Sequence, residues 1–235
     1  MTTEKVPFNK RSKAVRERWA NQKRKQLARA VGRKIARWRL PRSHRQTQKA
    51  REATFEVIKR NAIKAERGRF PAYSTIMNIG LYLLIAEKDI QALKIDALTH
   101  PDEWTRKLCA RVILLTIYEW DADKVSGRAL KDALELLEVP AELRAEAVDA
   151  LRKLRLVQRK VTKQFSFVRN SAIAHRDPDA LAQYRAIRDL KIDDVMNAAI
   201  EFYSGVGKFI RVLTALTALS GSPHALLKQW RPDQS

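Results

Sequence analysis

One stretch of the chain, residues 167–177, reads Phe-Val-Arg-Asn-Ser-Ala-Ile-Ala-His-Arg-Asp and places a guanidinium, a carboxamide and an imidazole within seven residues: Arg169, Asn170 and His175. Groups of these types hold anions and move protons. The competing sources of chemistry are few. The four histidines are His44, His100, His175 and His224. None pairs with another at helical metal-ligand spacing, and no cysteine lies near them, so the sequence supports no metal site. The run Gly205-Val206-Gly207-Lys208 hints at a phosphate loop but lacks its first glycine and its Ser/Thr, and no strand precedes it. The single cysteine, Cys109, falls in an apolar helix and reads as a small core residue. No serine forms a nucleophile elbow.

The segment ends a long helix, because Pro178 disfavours the α conformation at Asp177. It resembles the R-x(4–6)-H motif of HEPN domains, with a polar residue after the arginine and an Ala-His-Arg-Asp ending like that of abortive-infection members. As a helical layout the resemblance spans about 73–220; its sequence-specific part is residues 169–177. The resemblance implies a metal-independent endoribonuclease that acts as a homodimer, needs no cofactor and cuts RNA through the ribose 2′-OH. Such proteins commonly serve as toxins or antiphage effectors, which implies an antitoxin or inhibitory protein as a partner. On that reading Arg169 grips the scissile phosphate. His175 takes a proton from the 2′-OH or gives one to the leaving 5′ oxygen, and Asn170 orients the phosphate or a neighbouring side chain. On one straight helix Arg169 and His175 would stand about 120° apart around the axis and about 9 Å apart along it. Either the last turn is distorted near Ala174, or each phosphate is gripped by both protomers. Plainer roles fit the same residues: His175 as a packed helix end, Arg169 as a solvated charge, Asn170 as a C-terminal cap. Arg39 and His44 satisfy the same spacing inside an arginine-rich region.

The elements that must position this segment are helices. Only 7 Gly and 8 Pro in 235 residues argue against a turn-rich sandwich or barrel. The stretch from Tyr73 to about Lys88 is apolar almost all round and reads as a buried helix. Pro101-Asp102-Glu103 opens the next, running to about Trp120. Gly127 precedes a short helix with Leu130, Leu134 and Leu137. Pro140-Ala141-Glu142 starts a long one whose stripe runs Leu151, Leu154, Val157, Val161, Phe165, Val168, Ala172. A last helix begins near Asp193-Asp194, carries Phe202, Val206, Phe209 and Leu213, and is closed by Gly221. The fold class is all-α, an antiparallel HEPN-like bundle over 71–220, with a basic helical extension over 1–70 and a loose tail over 221–235.

Charge is distributed unevenly. The formal net charge is +21, with 47 Lys/Arg against 26 acids. Residues 1–70 hold 23 of those bases and 5 of the acids, a net of +18; the remaining 165 residues contribute +3. A helix in the arm, stopped by Pro41, would gather Val15, Trp19, Leu27, Val31, Ile35 and Trp38 on one face. Lys13, Arg16, Lys23, Arg24, Arg29, Arg33, Lys34, Arg37, Arg39 and Arg42 supply its nucleic-acid-binding charge. A second helix runs from about Gln46 to Glu66 with Phe55, Ile58 and Ile63 inside. Basic amphipathic helices also suit membrane surfaces, partner grooves and transit peptides. Here only Glu17 interrupts the positive run between Lys5 and Arg51, which favours a polyanionic partner, RNA or DNA. The apolar runs 79–85 and 112–117 are too short to span a bilayer. The expectation is a cytoplasmic protein without membrane attachment. Two functions follow: the endoribonuclease, or a non-catalytic nucleic-acid-binding or scaffold protein whose bundle is a dimerisation module.

Overall fold

The all-α expectation holds across every residue that the computed structural model describes, namely 13–43, 45–125, 127–173 and 178–229. These form ten helices and no strand: α1 (Lys13–Ser43), α2 (Arg45–Arg67), α3 (Pro71–Thr99), α4 (Glu103–Glu119), α5 (Ala122–Val125), α6 (Gly127–Leu136), α7 (Ala141–Ala172), α8 (Ala180–Asp189), α9 (Ile192–Ser220) and α10 (Pro223–Gln229). Among the described residues, no helix is long and apolar enough to cross a membrane.

Helix α3 is the axis of the packing, meeting α1, α2, α4, α6 and α9. Pro71 occupies its first turn, where no backbone donor is lost. Ile76, Met77, Ile79 and Leu83 then face inward toward Ile113, Leu114 and Ile117 of α4 and Phe202, Val206 and Phe209 of α9, all in one core. The helix continues eleven residues beyond the expected end at Lys88. Past that point it turns amphipathic, with Ile90 and Ala97 buried among exposed Lys88, Asp89 and Ala92, and it ends just ahead of Pro101. Asp102 caps α4 by accepting from the Thr105 backbone N–H at 2.7 Å. The Thr105 hydrogen bonds hold its carboxyl below the usual carboxylate range.

The charge step at 68–71 is not a packing step. On α2, Ile58 and Ala65 are buried in the same core as α3. Arg51 donates to Glu87, and Lys88 Nζ donates to Glu52 Oε1 at 2.8 Å, pinning α2 along α3. Among the described residues of the basic segment, then, those of α2 join the buried core and those of α1 do not. The connection from α2 to α3 is tight: Arg69 adopts φ 53°, and a Cβ on Gly68 would stand 2.3 Å from the Phe70 ring.

Two helices lacked strong sequence signals. Asp179 caps α8 through the N–H groups of Leu181 and Ala182, and Ala186 and Ile187 of α8 pack on Ala172. The tail expected to be loose is helical over α10. Gln229 is buried and its Oε1 accepts from the Tyr73 backbone N–H at 3.0 Å, satisfying a donor that the first turn of α3 leaves over. Residues 230–235 lie outside the described set. The Gly-Val-Gly-Lys run sits inside α9. Gly205 packs directly against Leu154 of α7, since a Cβ there would stand 2.6 Å from Leu154 Cδ2 and 2.9 Å from its Cγ. The glycine serves packing, with no phosphate-binding loop around it.

Candidate functional site

Arg169 and Asn170 lie on the last turn of α7, beside the C-terminal end of α4. Trp120, which follows α4, fixes that junction. Its ring is 2% exposed, stacked on Tyr82 with centroids 6.3 Å apart and edge-on to Phe202 at 5.9 Å. Gln158 of α7 donates Nε2 to the Tyr118 carbonyl at 3.0 Å and to the Trp120 carbonyl, two acceptors that the end of α4 cannot satisfy itself. Arg169 is eleven residues further along α7, hence within about 20° of Gln158 around the axis. Helical side chains lean toward the N-terminus, which directs its guanidinium back to the same α4 end.

That guanidinium has three partners. Nη2 donates to Glu119 Oε1 at 3.2 Å, Nη1 donates to Asn170 Oδ1 at 3.1 Å, and the group lies 4.7 Å from the Tyr118 ring centroid. The side chain keeps 24% of its surface open, while Nε is shielded and finds no acceptor among the described residues. Glu119 is about half exposed, so its ion pair holds the guanidinium's orientation at little cost to exchange for another anion. Arg111 of α4 donates Nη1 to the Ala172 carbonyl at 3.1 Å, placing a cation on an orphan acceptor at the end of α7.

The helix stops at Ala172. Ile173 donates its N–H to the Arg169 carbonyl at 3.2 Å, but its own backbone turns to φ −119°, ψ −69°. The separation expected between Arg169 and His175 rests on residues beyond that cap and lies outside the described set. His175 itself lies in 174–177, outside the described residues. Asn170 is exposed and engages Arg169; Ser171 and Ala172 are buried. Among the described residues, no group of three or more His, Cys, Asp or Glu is placed to hold a metal ion.

The arm presents its charge outward. Lys23, Arg24, Lys34, Arg37 and Arg39 are exposed and Arg33 is half-buried. The side chains of Lys13, Arg16, Arg29 and Arg42, although on α1, lie outside the described set. Lys23 Nζ sits 4.0 Å over the Trp19 ring, and Arg37 pairs with Asp96 of α3 at 3.4 Å. The expected apolar stripe is not the docking face. Leu27, Val31 and Ile35 are exposed, while the half-buried side carries Ala30, Arg33 and Ala36. Small side chains let the helix approach α3 closely, which the bulky stripe would prevent.

Sequence reasoning singled out Arg169 and Asn170 but not Tyr118, Glu119, Gln158 or Arg111. Tyr118 and Glu119 leave a trace in the sequence as the polar-aromatic run Tyr118-Glu119-Trp120 closing an apolar helix; Arg111 and Gln158 leave none. No protein-family model, curated protein or solved structure matches the chain.

Proposed function

We propose that the protein is a metal-independent endoribonuclease of HEPN type, working as a homodimer and serving as a toxin or antiphage effector held in check by an inhibitory protein. The observation that carries this reading is the setting of Arg169. It is a half-buried guanidinium at a helix end, oriented by Glu119, Asn170 and the Tyr118 face, with an Nε donor that has no acceptor among the described residues. A phosphodiester approaching this group displaces Glu119 and accepts from Nη2 and Nε together, the fork geometry that suits a planar guanidinium. His175, six residues on, supplies the proton transfer. Attack by the 2′-OH forms the bond to phosphorus as the bond to the 5′ oxygen breaks. One proton leaves the 2′-OH and one joins the 5′ oxygen, leaving a 2′,3′-cyclic phosphate and a 5′ hydroxyl.

The chemistry is tested with a substrate carrying a single 2′-deoxy residue at the scissile position. RNA is cut, the substituted strand resists at that bond, and the products carry cyclic-phosphate and 5′-hydroxyl ends. Cleavage of the deoxy bond, or 5′-phosphate ends, would sink the proposal.

The arm supplies affinity for the RNA backbone, and the exposed rings of Trp19 and Trp38 suit base stacking. Because α2 belongs to the core, the informative truncation removes residues 1–43 and keeps α2. Binding then weakens and log Kd against log salt flattens, by about 0.7 for each single-strand phosphate that the arm neutralises. A slope equal to that of the full chain would refute the arm as the electrostatic footprint. The competing function, a non-catalytic RNA-binding or scaffold protein, keeps the salt slope but produces no cleaved ends.

A further inference from the structure

Between α2, α3 and α9, on a different side chain set from Arg169, lies a cleft of about 690 Å³, within the range of sites that enclose small molecules. Its wall is largely apolar, formed by Phe55, Leu84, Ile95, Leu98, Met196 and Ile200. Five charged side chains line it, and their pairing is uneven. Arg51 is matched by Glu87, and Lys88 by Glu52. Lys94 is left over: among the described residues no carboxylate pairs with it, and its neighbour is the Tyr203 ring, 5.7 Å from Nζ to the centroid. The Arg51 guanidinium lies 5.3 Å from the same ring. The Tyr203 hydroxyl is shielded from solvent and has no hydrogen-bond partner among the described residues.

We infer that this cleft binds an amphiphilic monoanion, a carboxylate or sulfonate on an apolar body, with the acidic group on Lys94 and the Tyr203 hydroxyl. A donor shielded from water without an acceptor, beside a cation without a counter-ion, both among the described residues, is a pair of defects that one acceptor-only anion removes together. The remaining apolar wall fixes the other end of the ligand. One net positive charge selects one negative charge, and a cleft enclosed by three helices selects a small molecule over a polymer. Burial and the nearby Arg51 push the Lys94 ammonium pKa down, and burial pushes the Tyr203 phenol up, the directions an environment short of negative charge and water produces.

The test uses two dyes that differ by one charged group, 8-anilinonaphthalene-1-sulfonate and uncharged N-phenyl-1-naphthylamine, titrated into the full-length chain by fluorescence. The wild type binds the sulfonate at a 1:1 stoichiometry and more tightly than the uncharged dye. Lys94→Met weakens the sulfonate at least about tenfold and leaves the uncharged dye nearly unchanged. Lys94→Gln does the same, which guards against a folding defect in one variant. Ile200→Trp, filling the apolar wall, weakens both dyes. Equal affinity of the two dyes for the wild type, an unchanged sulfonate affinity in both Lys94 variants, equal loss of both dyes in those variants, or binding indifferent to Ile200→Trp would each overturn the inference.

Discussion

Under the proposed function, Arg169→Ala is expected to lower the rate of RNA cleavage by about 10²–10³-fold, the cost of removing one preorganised donor set from a developing oxyanion. Arg169→Lys recovers little of it, since an ammonium cannot donate two parallel hydrogen bonds to one phosphate. The fold tolerates both changes. The Arg169–Glu119 pair is partly exposed and contributes no more than about 1 kcal/mol, and the α7 end keeps its hydrogen bond from Arg111 to the Ala172 carbonyl. Single-turnover rates and thermal melts on the same samples separate the two quantities. A reduced rate with an unchanged melt is the expected combination. A fully active Arg169→Ala would remove the guanidinium from the chemistry.

Trp120→Ala produces the opposite combination, a large loss of stability from a residue with no chemistry. The ring is one of the largest fully buried side chains and touches α3 through Tyr82 and α9 through Phe202. Truncation costs about 3–5 kcal/mol in burial and cavity formation, a large share of the about 5–15 kcal/mol that keeps a domain folded. Trp120→Phe costs markedly less, because it also removes the indole N–H, which is shielded and has no acceptor among the described residues. Urea unfolding followed by far-ultraviolet circular dichroism ranks the three proteins. A Phe variant as unstable as the Ala variant would contradict this ranking.

The elements most legible in the sequence were those with strong local punctuation. Pro101-Asp102-Glu103 marks the start of α4, Pro140 that of α7, and Gly221 the end of α9, each through a terminal hydrogen-bonding or charge effect that needs no tertiary contact. Helix α10 depends on Gln229 reaching the start of α3, 156 residues away in sequence, and local reading sees only a short polar tail. The same limit governs the site. Arg169 and Asn170 share a motif, whereas Glu119 is fifty residues distant and meets Arg169 where hydrogen bonds from Gln158 and Arg111 join the ends of α4 and α7. The charge asymmetry separates residues 1–70 from the rest of the chain without showing which of their helices join the core. The positive charge of α2 lies along a helix whose other face is core, at Ile58 and Ala65.

The central claim is that the Arg169–His175 segment cuts RNA without a metal. The direct measurement incubates RNA with purified wild type and with His175→Ala in excess EDTA. Cleavage by the wild type alone is the predicted result. Intact RNA with the wild type, or equal cleavage by His175→Ala, would contradict it.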